Sequence, residues 1–229
     1  MDAIIDRIRD VSVGEALVNP PMDPNGPFKL ALVDCTSIFA LMRRMANDTH
    51  NVSYGELKKI IDQLERECVN DHPFSEFVAV VTIDRENPGQ VHYVNTFIEN
   101  AGFLIKAVDF RYCYNDLSRG PKDDKLPNKE RDITSASTTI AYELGQLHSY
   151  EDVELTILTD SAELIPMIMD LVRSDDSPIR SIHLIWPSIS MDARWSEYWK
   201  ACSEAGSKLR YSDLSNYLTQ ILIPKRNVR

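Results

Sequence analysis

The feature that most constrains this chain is a recurring unit, a short apolar run followed by a polar or amphipathic stretch long enough for a helix. The runs are LALVD (30–34), FVAVVTID (77–84), FLIKAVDF (103–110), LTILTD (155–160) and IHLIWP (182–187). Most lack the alternation of a strand with one face in water, so they suit strands covered on both faces. Helix candidates lie at 37–47, 53–69, 90–101, 133–148 and 161–173. Ser53 precedes Glu56 at capping-box spacing, and Ser161 opens the helix after the fourth run. A last helix is expected at 192–206, then a short apolar segment at 218–223 and a basic tail. Alternating strand and helix predicts an α/β fold, a doubly wound, mainly parallel sheet of about five strands with helices on both faces.

The first residues follow another pattern. Ile4, Ile5, Ile8, Val11 and Val13 fit one short helix, and VNPPMDPNGP (18–27) holds four prolines and a glycine, which break helix and sheet alike. The chain therefore divides into a helix with a Pro-rich connector, 1–27, and an α/β domain, 28–229. An amphipathic helix on such a connector suits docking to a protein partner or a second copy in a homo-oligomer, and equally packing on its own domain.

Charge narrows the function classes. Against 25 Lys+Arg stand 35 Asp+Glu, a formal charge of −10, so no broad basic surface is advertised and a polyanion must be met locally. Cys35, Cys68, Cys113 and Cys202 form no CxxC pair, which points to reduced thiols and excludes a zinc knuckle or disulfide scaffold. No stretch approaches the ~18 apolar residues of a membrane span, and the N-terminus is acidic, so the expectation is a cytoplasmic protein with no membrane contact.

Four of the runs reach an aspartate at or near their ends: Asp34, Asp84, Asp109 and Asp160. In an open parallel sheet such residues collect along the edge where these folds bind ligands. Singly, each serves as well as a helix cap or turn former. Together they concentrate negative charge that Mg²⁺ or Mn²⁺ relieves, with a phosphate ester filling the remaining coordination positions. Asp132 follows a polar loop and precedes the Ser/Thr-rich start of a helix, whose N-terminus suits a phosphate; it is also a natural N-cap. The five histidines show no metal-ligand spacing, and His183 reads as a strand residue.

Three motifs stand in order: VDCTSIF (33–39), KERDITSAS (129–137) and TDSAELIP (159–166). In them the chain resembles the NYN domains of the PIN-like nuclease superfamily, which carry V-D-G-x-N-L, K-G-x-D and G-D-S-D-hydrophobic-hydrophobic-P. Cys35 takes the place of the Gly, Ser37 of the Asn, and Glu130 of the second residue of K-G-x-D. Anchored on Pro166, the last motif sets Glu163 on its second Asp and Ser161 on its first, with Asp160 one place early. The resemblance implies a metal-dependent endoribonuclease in which Asp34, Asp132 and either Asp160 or Glu163 hold one or two Mg²⁺ or Mn²⁺ ions, supported by Asp84. It implies single-stranded or structured RNA as partner, held near Ser37, Ser161, Lys129, Arg131 and Arg111, with Lys122, Lys125, Arg43, Arg44, Tyr112 and Tyr114 as further candidates for phosphate contact and base stacking. A haloacid-dehalogenase-like phosphatase fits less well, since Thr36 stands where its second Asp belongs and IHLIWPS offers no acidic pair. The rival from another class is a catalytically silent PIN-like domain serving as an RNA-binding or protein-assembly module.

Overall fold

Each apolar run becomes a strand in a computed structural model that describes residues 26–46, 50–68, 73–83, 87–109, 112–114, 129–131, 134–187 and 208–225. The expected N-terminal helix, the helix at 192–206, Asp84, Arg111, Lys122, Lys125 and Asp132 lie outside the described residues. The strands are β1 (Phe28–Asp34), β2 (His50–Val52), β3 (Glu76–Ile83), β4 (Leu104–Asp109), β5 (Tyr112–Tyr114), β6 (Lys129–Arg131), β7 (Val153–Leu158), β8 (Ile179–Trp186), β9 (Leu209–Asp213) and β10 (Leu222–Pro224). The helices are α1 (Cys35–Ala46), α2 (Tyr54–Cys68), α3 (Pro88–Tyr93), α4 (Thr134–Gln146), α5 (Ile165–Arg173) and α6 (Leu218–Ile221). Among the described residues, no helix is long and apolar enough to cross a membrane.

Six strands form one sheet in the order β4-β3-β1-β7-β8-β9, and every pairing in it is parallel. From β1 the chain steps outward through β3 to β4, then returns to the other side of β1 and steps outward again through β7, β8 and β9. Strand order thus reverses between β1 and β7, the place where open α/β sheets leave a crevice beyond their C-terminal ends. The sixth strand, LRYSD, differs from the expectation of about five; it is a polar edge strand and carries no apolar run. Short antiparallel pairs, β2 with β10 and β5 with β6, complete the strands among the described residues.

Two apolar layers sandwich the sheet, which is why β1 and β7 are buried along their whole length. On one face Ala136, Ile140, Leu144 and Leu147 descend one side of α4 and its following turn to meet Leu30, Leu32, Leu155 and Ile157. On the other, Leu57, Ile60, Ile61 and Leu64 of α2 cover Ala31, Val33, Ala79 and Val81. Spacing of three and four residues on the helices meets spacing of two on the strands, so each residue type lands on a core face. A fully buried Leu or Ile contributes about 1.5–3 kcal/mol, and these layers hold the strand ends in fixed register.

Half of the expected capping box at α2 forms, with the Glu56 amide donating to Ser53 Oγ at 3.4 Å. Ser161 takes the N-cap position of the turn Ala162–Leu164 without capping it by its side chain, because its hydroxyl is engaged elsewhere.

Candidate functional site

Val33 of β1 stands opposite Leu158 of β7, so Asp34 and the Thr159–Asp160 pair emerge side by side at the point where strand order reverses. Asp34 is both strand end and helix cap. Its Oδ1 accepts from the amides of Thr36 at 2.9 Å and Ser37 at 3.2 Å, which satisfies two orphan donors in the first turn of α1. Its Oδ2 accepts from the hydroxyls of Ser37 at 2.7 Å and Thr159 at 3.0 Å. Four donors thus converge on a carboxylate that is 3% exposed.

Ser37 joins this carboxylate to a second one. Its Oγ lies 2.5 Å from Asp160 Oδ1 and accepts the Asp160 amide at 3.1 Å. A hydroxyl has one proton, so Ser37 satisfies one of the two carboxylates at a time. Burial pushes the Asp34 carboxyl above its ordinary range; bonds from Ser37 and Thr159 pull the other way, and the Asp160 charge adds to the rise. Further hydroxyls line the same edge. Ser161 Oγ is 2.8 Å from Ser137 Oγ on the first turns of α4, its amide donates to Thr159 Oγ1 at 3.1 Å, and Thr36 Oγ1 is 3.2 Å from Thr82 Oγ1 at the end of β3.

Of the residues the sequence singles out, the structure brings together Asp34, Ser37, Asp160 and Ser161. Glu163 is exposed on the turn Ala162–Leu164. Asp109 stands opposite Ile83, three residues beyond the Val80 that pairs with Asp34, which carries its backbone about 10 Å further along and two strands away. Its expected convergence with Asp34 is therefore not seen. Lys129 and Arg131 lie in β6, three and one residues before Asp132 in the chain. Thr159, Thr36, Thr82 and Ser137 are members of the site that sequence reasoning passed over; the signal for Thr159 was its place between the last strand residue and Asp160. Cys35, at the glycine position of the motif, is buried at 0% exposure among apolar neighbours, and burial pushes its thiol far up.

The donors here are all oxygens, the right chemistry for Mg²⁺ or Mn²⁺. Asp34 already accepts four hydrogen bonds, and Asp160 accepts one from Ser37 Oγ. Among the described residues, no three His, Cys, Asp or Glu side chains are grouped to hold a metal ion.

No protein-family model and no curated protein matches the chain. Among solved structures, it is similar to the crystal structure of a protein of unknown function from Vibrio parahaemolyticus, with a TM-score of 0.46 and 10% identity, covering 88% of this chain and 100% of that one.

Proposed function

We propose that the C-terminal edge of the sheet is the centre of a metal-dependent endoribonuclease of the PIN-like type, hydrolysing RNA phosphodiester bonds. One observation carries the proposal: Asp34 and Asp160 meet on the single hydroxyl of Ser37 where strand order reverses. Two carboxylates held against one proton repel each other, and a hard dication is their natural neutraliser. In this reading Asp160 and Asp132 hold Mg²⁺ or Mn²⁺, with Glu163 the alternative to Asp160 and Asp84 in support. Asp34 fixes Ser37 and Thr159 beside the ion. Once bound, such an ion activates water and stabilises charge on the scissile phosphate. Ser37, held between Asp34 and Asp160, and the Ser137–Ser161 hydroxyl pair line the edge where a phosphate would lie, while Lys129, Arg131 and Arg111 would balance neighbouring phosphates along the RNA.

A second reading, a catalytically silent RNA-binding or assembly module, is favoured by the four donors on Asp34, which suit a purely structural cap. Cleavage of single-stranded and structured RNAs by the full chain, with Mg²⁺ or Mn²⁺ and with EDTA, separates the two. The nuclease reading expects EDTA to abolish cleavage, and Asp160→Asn and Asp132→Asn to lower it at least about 10–100-fold. It also expects Mn²⁺ at a hundred times its Kd to stabilise the fold by about 2.7 kcal/mol. Absence of cleavage and of any Mn²⁺ stabilisation, or cleavage indifferent to EDTA and to both substitutions, overturns it.

A further inference from the structure

A second polar cluster lies under α2, on the opposite side of β7 and β8 from α5. Lys29 of β1, Glu154 and Thr156 of β7, His183 of β8 and Glu65 of α2 are each at most 2% exposed. Arg210 and Ser212 of β9, two apart on one strand and so on one face, close the cluster at the edge of the sheet. Glu65 is its hub. Its Oε1 is 3.1 Å from Arg210 Nη2 and 3.6 Å from Lys29 Nζ, and its Oε2 accepts from Thr156 Oγ1 at 3.1 Å and contacts His183 Nδ1.

The other ring nitrogen completes a chain. His183 Nε2 is 2.8 Å from Ser212 Oγ, so the order is carboxylate, imidazole, hydroxyl. With Nδ1 against an ionised Glu65, a ring that carries a single proton carries it on Nδ1, which leaves the Nε2 lone pair facing the serine. This linkage activates a serine in nucleophilic catalysis, and the relation is recognised by geometry, not by position in the chain. An independent feature lies beside it. Arg210 spends Nη2 on Glu65, while its buried Nε and Nη1 hold no hydrogen-bond partner among the described residues. Buried guanidinium donors without acceptors are costly, and they are what a developing oxyanion requires. Ser212 is partly exposed, so the chain of bonds runs from the buried Glu65 and His183 outward to the β9 edge.

We propose that Ser212, His183 and Arg210 form a second catalytic site, independent of the acidic edge, that hydrolyses a small carboxylic ester. Ser212 Oγ attacks the carbonyl as its proton passes to His183 Nε2, and the oxyanion rests on the free Arg210 donors. Collapse breaks the bond to the alkoxide, which leaves as the alcohol with the proton from His183. Water then attacks the acyl-serine through the same base, releasing the acid and restoring Ser212. Glu65 is a positioning residue that sets the tautomer of His183.

The test is reaction of the full chain with a fluorophosphonate probe, followed by intact and peptide mass. The expected result is one adduct, with loss of fluoride, mapped to Ser212 and formed equally in EDTA, which separates this site from the metal-dependent one. Ser212→Ala abolishes the adduct, and His183→Gln slows it at least about 100-fold. Glu65→Gln slows it likewise, whereas Glu65→Asp, which keeps the carboxylate, restores part of the rate; a merely structural role for Glu65 gives no such rescue per folded molecule. An unlabelled wild-type chain overturns the proposal without any variant, and so does labelling of Ser212 that proceeds at the same rate when His183 is Gln.

Discussion

Replacing Glu65 by Gln removes a carboxylate that faces Lys29, Arg210 and His183 together. Burial by itself would raise the Glu65 carboxyl, but the bond from His183 and the charges of His183, Lys29 and Arg210 outweigh it and hold the group at about 2, against an ordinary 4.5. That gap corresponds to about 3 kcal/mol of stability at neutral pH, within the ~3–5 kcal/mol lost when a buried ion pair is broken on one side. A depressed acid stabilises above its unfolded value and loses that contribution as pH falls, here from about 5 down towards 2. Urea unfolding of wild type and Glu65→Gln at pH 7, 5, 4 and 3 is expected to show a deficit of about 3 kcal/mol at pH 7 that shrinks steadily with acid. Lys29→Met is then expected to cost less in the Glu65→Gln background than alone, because the ammonium has there already lost the Glu65 charge at 3.6 Å. Equal stability at pH 7, or a deficit that does not change with pH, refutes the account of a charge-held hub.

The raised Asp34 carboxyl carries the opposite sign: the folded state binds its proton more readily than the unfolded chain, so stability falls as pH rises through that value. Asp34→Asn is therefore expected to raise the melting temperature at pH 7 and to help less at pH 4, the amide donating to Ser37 and Thr159 where the carboxylate accepted; a lower melting temperature at both pH values sinks this reading. Gly102 has φ +84°, and a Cβ there falls 2.8 Å from Lys58 Nζ. Gly102→Ala is expected to cost about 1 kcal/mol or more by urea unfolding, mainly through the left-handed backbone, since the lysine tip can swing aside.

The sheet was legible because burial on both faces writes itself as continuous apolar sequence, as LALVD and LTILTD show. Where one face or an edge meets polar groups, the signal fades. LRYSD in β9 mixes apolar, charged, aromatic and hydroxyl residues and has no apolar run, and the three-residue strands HNV and LIP depend on each other for pairing. The apolar segment at 218–223 divides into α6 and the start of β10, a division that hydrophobicity cannot mark.

The two polar clusters differ in legibility for a related physical reason. Asp34 and Asp160 announced themselves by sitting at the ends of apolar runs, and parallel topology turns a strand-end position into a shared edge. Ser37 added what topology could not, one hydroxyl close enough to both carboxylates to bind their positions together. Lys29, Glu65, Glu154, His183 and Arg210 sit within strands and a helix, at positions that sequence alone assigns to solvent or to an ordinary strand face. Their burial is tolerable because charges of both signs arrive from β1, α2, β7, β8 and β9 at once; removing Glu65 leaves Lys29 and Arg210 without their shared counter-charge. A buried ion is thus acceptable through partners tens of residues away, 36 from Lys29 to Glu65 and 145 from Glu65 to Arg210. Local pattern therefore reports where this chain is apolar, while the pairing of its buried charges becomes visible when the register of five elements is fixed.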